Sequence, residues 1–247
     1  MLEHLPVNVL LLTFLLGLGW VINDDAKDPV QPVFAFADPA IVESSGLVAQ
    51  DGLVYTTNDS GDTGRVFAVD PASGETVGVT RWAAEPTDVE ALAPGGPGRV
   101  WVGDIGDNSA SRDRIEVSRV PVGRGDRTVR VPSYALTYPD GPENAETLLA
   151  DPRDGRLYVA TKGVFGGRLY AAPRTLSASG TNRRRPVGDV LAIATDGAFL
   201  PDGRHLVLRD YSDAVVYTFP DLEKVGSFTL PYQEQGEVLR SRGMGRI

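Results

Sequence analysis

The stretch "AETLLADPRDGRLYVATKGVFGGRLYAAP" (145–173) decides the fold. It holds three short apolar runs, at 147–150, 157–160 and 169–172, separated by "DPRDG" and "KGVFGG". Runs this short, rich in Val, Leu and Tyr and bounded by Gly, Pro and Asp, read as strands joined by tight turns. The same grammar returns in "TDGAFLPDGRHLVLRDYSDAVVYTFP" (195–220). Upstream it occurs in "SSGLVAQDGLVYTTNDSGDTGRVFAVD" (44–70), and in "VEALAPGGPGRVWVGDIGDN" with "RIEVSRV" (89–120). A looser strand closes each unit: "ETVGVT" (75–80), "VRVPSYALTY" (129–138), "PVGDV" (186–190) and "EKVGSFTL" (223–230).

A small or acidic residue opens each unit. The leading acids Glu90, Glu146, Asp196 and Glu237 are spaced by 56, 50 and 41 residues. Four-stranded units recurring at roughly 40–50 residues are the signature of a β-propeller, whose blades bury their faces against one another. A β-sandwich is the alternative, but its strands have no reason to repeat one grammar. A fifth unit opens at "QGEVL" (235–239) and runs into "RSRGMGRI", which lacks a strand pattern, so the last blade reads as cut short. The helix-like fragments are "ENAETLLA" (143–150) and the N-terminal segment.

The expected organisation is a hydrophobic signal or anchor helix within 1–22, a polar linker over 23–32, and an all-β propeller over 33–247. Residues 5–22 are almost wholly apolar, suiting export or attachment to a membrane. "AFA" (35–37) reads as the first strand of the folded part. The 247 residues are 42% hydrophobic, enough for a sizeable core. The net charge of −9 argues against nucleic acid as a partner. The basic run "NRRRP" (182–186) reads as a solvated loop. Cysteine is absent, which excludes disulfides and thiolate chemistry. The two histidines, His4 and His205, give a Ser-His-Asp triad or a histidine metal site little to work with. No Gly-x-Ser-x-Gly elbow and no Gly-rich phosphate loop occurs.

In a propeller, the start of each inner strand and the exit of the second strand meet at one mouth of the central channel. The opening position holds Glu90, Glu146, Asp196 and Glu237. The exit position holds Asp59, Asp104, Lys162 and Arg209. Like charges about 6 Å apart repel by roughly 3 kcal/mol at an effective dielectric near 20, so such a ring needs neutralising. Lys162 and Arg209 are one source of neutralising charge. A hard cation, with Ca²⁺ the candidate, is another, since it takes six to eight oxygen ligands. Glu90, Asp104, Glu146 and Asp196 are therefore the candidate metal ligands. Asp59, Lys162, Arg209 and Glu237 are the candidate ligand-binding residues. The same Asp, Asn and Gly residues also make corners in any all-β protein. No catalytic residue is assigned. Two functions remain open: binding of a small molecule, ion or protein at the mouth without turnover, or calcium-assisted hydrolysis of an ester, lactone or phosphoester.

The segments "NDSG" (58–61), "GDIGDN" (103–108) and "YPDGPENAE" (138–146) are similar to those of exported actinobacterial β-propeller proteins. That group is described as WD-repeat-like or as having "esterase-like activity of phytase". The resemblance spans roughly 33–237 and implies a propeller located outside the cytoplasm, secreted or membrane-anchored. It implies no particular reaction.

Overall fold

The computed structural model describes residues 8–9, 34–59, 61–83 and 85–230. The hydrophobic helix expected within 5–22, the linker 23–32 and the fifth unit with Glu237 lie outside the described residues. The exception is Asn8–Val9, a two-residue strand paired antiparallel with Phe34–Ala35. The described residues contain no α-helix, so none is long and apolar enough to cross a membrane.

Four blades, each built on four antiparallel strands, follow one another along the chain. The first blade is Ser44–Gln50, Leu53–Asn58, Arg65–Val69 and Thr76–Trp82. The second is Val89–Pro94, Arg99–Asp104, Ile115–Pro121 and Ser133–Thr137. The third is Ala145–Ala150, Leu157–Thr161, Gly167–Ala171 and Arg185–Val190. The fourth is Asp196–Phe199, His205–Arg209, Asp213–Thr218 and Lys224–Thr229. This is a four-blade β-propeller arrangement. The helix-like fragment at 143–150 is the inner strand of the third blade. Its packing between neighbouring sheets outweighs the helix propensity of Glu, Ala and Leu.

Each strand alternates its side chains between two faces, so every blade offers an apolar surface to each neighbour. Tyr55, Val66, Leu92 and Val102 fill the first interface. Ile105, Ile115, Leu136 and Leu148 fill the second. Leu149, Leu169, Tyr158, Phe199 and Phe219 fill the third, where the three rings meet edge to face at centroid distances of 4.9–5.6 Å. Each such side chain contributes about 1.5–3 kcal/mol on burial. Phe36 and Ile41 cover the remaining face of the first blade. At the axis the backbones come very close. A Cβ on Gly46 would lie 2.5 Å from the Leu92 nitrogen, so only glycine fits there.

Two blades carry an extra strand. Arg127–Val129, from the loop before the second blade's outer strand, pairs in parallel with Thr76–Trp82 of the first blade. Asn182–Arg183, from the corresponding loop of the third blade, pairs in parallel with Ser133–Thr137 of the second. The basic run at 182–186 is therefore not a solvated loop. Arg184 is 1% exposed and its guanidinium stacks on the Tyr138 ring, 3.2 Å from the centroid. The Asn182 amide ties the loop down through the Ala135 and Ser177 carbonyls at 2.9 and 3.0 Å.

Candidate functional site

The strand order alternates direction, so the loops entering the inner strands and those leaving the second strands share one face. At that face the inner strands of the first three blades are bulged. Register skips from Ser44 to Leu47, from Val89 to Ala91, and from Ala145 to Thr147. A bulge leaves a residue outside the ladder and re-aims its side chain. In the second and third blades that residue is Glu90 and Glu146. The fourth blade has no such bulge: Asp196 pairs squarely with Arg209. Asp196 therefore occupies the ladder position of Val89 and Ala145, one residue ahead of the two glutamates.

The second strands divide in the same way. Asp104 and Arg209 sit on the ladder, opposite Val89 and Asp196. Asp59 and Lys162 lie one residue beyond it, donating backbone N–H groups to the Glu43 and Asn144 carbonyls. A shift of one residue exchanges the faces of a strand, and the contacts follow. Asp104 pairs with Arg112 at 2.8 Å and accepts the Thr87 and Asp88 amides, each at 2.9 Å. It thereby shapes the loop that carries Asp88. Asp59 instead joins Asp88 and Glu90: one carboxylate oxygen from each lies within 4.8 Å of the others.

Glu90 is 7% exposed, and Ser45 Oγ donates to its Oε2 at 3.0 Å. Burial, followed by the charges of Asp59, Glu146 and Asp88, pushes the Glu90 carboxyl up to about 9. Burial and Asp59 also raise Asp88. Glu146 is raised chiefly by burial, against which Lys162 works. The Lys162 ammonium bonds directly to Glu146 and donates to Tyr211 Oη at 2.7 Å. Burial disfavours that ammonium, but the two hydrogen bonds outweigh it and its pKa rises. Glu90, Glu146, Asp59 and Asp88 thus share one electrostatic neighbourhood, which Asp104 also reaches through Asp88 while its own carboxylate pairs with Arg112.

Gly106 lets these acids approach. A Cβ there would lie 2.3 Å from Asp88 Oδ2 and 2.8 Å from Glu90 Cγ. The rest of "GDIGDN" builds the corner: Asp107 accepts the Ser111 and Arg112 amides at 2.9 and 2.7 Å, and Asn108 accepts from Asn144 at 3.0 Å. Burial opposes the Asp107 carboxylate, but those amides hold its pKa low. Asp88 is a site residue that repeat counting missed. Its signal is local: it stands two residues before Glu90 in "TDVE", on the same side of an extended chain.

At the other end of the channel the lining is apolar. A cavity of about 340 Å³ is bounded there by Leu47, Ala49, Leu92, Leu148, Ala150 and Phe199, drawn from all four blades. His205 begins the second strand of the fourth blade, on the face opposite the acids, with its Nδ1 2.7 Å from Asp202 Oδ2.

Fold and site together define a β-propeller with an acid-lined channel mouth. No family model matches the chain, and no curated protein matches it in sequence. Solved structures do resemble it in shape. A chain of a nidogen/laminin complex aligns over 85% of this chain and 72% of its own, with 20% identity and a TM-score of 0.50. A hydrazine synthase chain from Kuenenia stuttgartiensis aligns over 76% of this chain at 16% identity and a TM-score of 0.46. A putative 6-phosphogluconolactonase from Bacteroides uniformis aligns over 79% at 14% identity and the same score. The chain spans 49% and 59% of the lengths of the latter two. At 20% identity the likeness to the nidogen/laminin chain shows the fold alone.

Proposed function

We propose that the protein is an extracytoplasmic binding module whose channel mouth holds a divalent cation and, through it, a ligand. The observation that carries this reading is the triad of Asp59, Asp88 and Glu90, with ligand oxygens within 4.8 Å of one another. Three carboxylates offer up to six oxygens and no nitrogen or sulfur, which suits Ca²⁺ completed by water or ligand oxygens. The cation would offset the burial and the neighbouring negative charges that keep Glu90 protonated, and would release that proton on binding. Export is supported by the apolar run at 5–22.

Calcium titration of thermal unfolding tests the proposal. At a hundredfold excess over Kd, a ligand of the native state adds about 2.7 kcal/mol. For a chain of this size that raises Tm by roughly 5–10 °C. A melting temperature indifferent to both Ca²⁺ and chelator overturns the reading.

A further inference from the structure

The face around the acidic mouth differs in charge from the opposite face. Among the described residues, its loops (41–43, 59–64, 83–88, 105–114, 138–144, 162–166, 191–195 and 210–212) carry ten acids against Arg112, Arg114 and Lys162. The loops of the opposite face (51–52, 70–75, 95–98, 122–132, 151–156, 172–184, 200–204 and 219–223) carry nine acids and nine basic residues. Apolar exposure follows the same division. Of the five large hydrophobic side chains exposed among the described residues, Val42, Val164, Phe165 and Tyr211 lie on the acidic face. Phe165 is fully exposed, at 105% of its reference area, on the tip of the loop that begins with Lys162. Val42 opens onto a groove of about 280 Å³ whose walls include Glu43, Asp59 and Asp62.

An aromatic side chain held in water on a strongly acidic face costs solvation and contributes nothing to the core. Val164 and Phe165 are adjacent, and an exposed apolar pair set among charged loops marks an interaction surface. The sign of the rim selects the partner, because complementary charge steers encounter and excludes wrong partners. We propose that this face docks a basic, extended segment of another protein, with Lys or Arg side chains over the acidic loops and an apolar side chain against Val164 and Phe165. The proposal shares Asp59 with the cation site but does not depend on a cation being bound.

Fluorescence anisotropy with the labelled peptide Lys-Lys-Phe-Lys-Lys tests it, with Glu-Glu-Phe-Glu-Glu as control. The basic peptide binds and the acidic one does not, and binding weakens as salt screens the rim. Phe165→Ser weakens it about tenfold, the equivalent of losing one partly buried aromatic contact. Equal binding of both peptides, or full affinity in Phe165→Ser, overturns the docking surface. The calcium-induced rise in Tm, measured on the same two proteins, separates this proposal from the cation reading. A rise in both proteins without peptide binding removes only the docking surface. Peptide binding without any rise removes only the cation site.

Discussion

Gly106→Ala is the most direct probe of the acid triad. The new Cβ would sit 2.3 Å from Asp88 Oδ2, 2.5 Å from its Cγ and 2.8 Å from Glu90 Cγ. Three contacts below 3 Å cannot all persist, and the Asp88 carboxylate has the freedom to leave. Overpacking of this kind costs about 1–3 kcal/mol. At about 2–4 °C per kcal/mol, Tm in chelator falls by roughly 2–12 °C. The second effect is the more specific one. Once Asp88 is displaced the three carboxylates no longer converge, so the variant loses most of the calcium-dependent rise as well. The gap between wild type and variant is therefore wider in Ca²⁺ than in chelator. Asp88→Asn separates charge from space, because it abolishes the calcium response without the loss of stability in chelator. Differential scanning fluorimetry with and without Ca²⁺ measures all three proteins. An equal calcium increment in wild type and Gly106→Ala would refute the reasoning, since it would show that the cation does not use Asp88.

Three further predictions concern single side chains. Glu90 titrates near 9 in the folded protein and at its ordinary 4.5 when unfolded, so the native state holds the extra proton. Its contribution to stability is complete below about 4.5 and is lost as pH rises towards 9, a slope that Glu90→Gln removes; urea melts across that range measure it. Lys162→Met leaves Glu146 buried without its counter-charge and costs about 3 kcal/mol, most of which Glu146→Gln restores in the double variant. A double-variant loss equal to the sum of the losses in Lys162→Met and Glu146→Gln alone would show that the pair is not coupled. Arg184→Met keeps the stacking volume over Tyr138 while removing two buried guanidinium nitrogens that have no hydrogen-bond partner, so unfolding free energy is unchanged or higher by about 1 kcal/mol. A loss of more than about 2 kcal/mol would show that the cation over the Tyr138 ring outweighs its desolvation.

The blades were legible in the sequence because strand and turn chemistry is local. "DPRDG", "LPDGR" and their equivalents mark the same hairpin in each unit. The mouth was legible only to within a residue. Counting leading acids placed Asp196 with Glu90 and Glu146, but the bulges that turn out the two glutamates are absent from the fourth blade. A bulge is a choice of hydrogen-bond partner, and nothing in the local sequence records it. The same one-residue offset separates Asp59 and Lys162 from Asp104 and Arg209. Partner choice also divides "VRVPSYALTY", which reads as one strand. Val129 ends a strand of the first blade's sheet, and Ser133 begins the second blade's outer strand. Pro132, which lacks an N–H to donate, stands between them.

The two parallel strands also grade the molecule's resistance to opening. Arg127–Val129 and Asn182–Arg183 give the outer strands of the first and second blades a hydrogen-bonded neighbour on both sides. Among the described residues, Arg185–Val190 and Lys224–Thr229 have a neighbour on one side only. To release the first blade's outer strand, the loop ahead of the second blade's outer strand must also be freed, so the two open together. Amide hydrogen exchange would follow that gradient, slowest along Thr76–Trp82 and fastest along Lys224–Thr229, where Val225 already faces water. Among the described residues the outer strands of the first two blades are therefore fastened on both sides and those of the last two on one, so opening starts at the later blades.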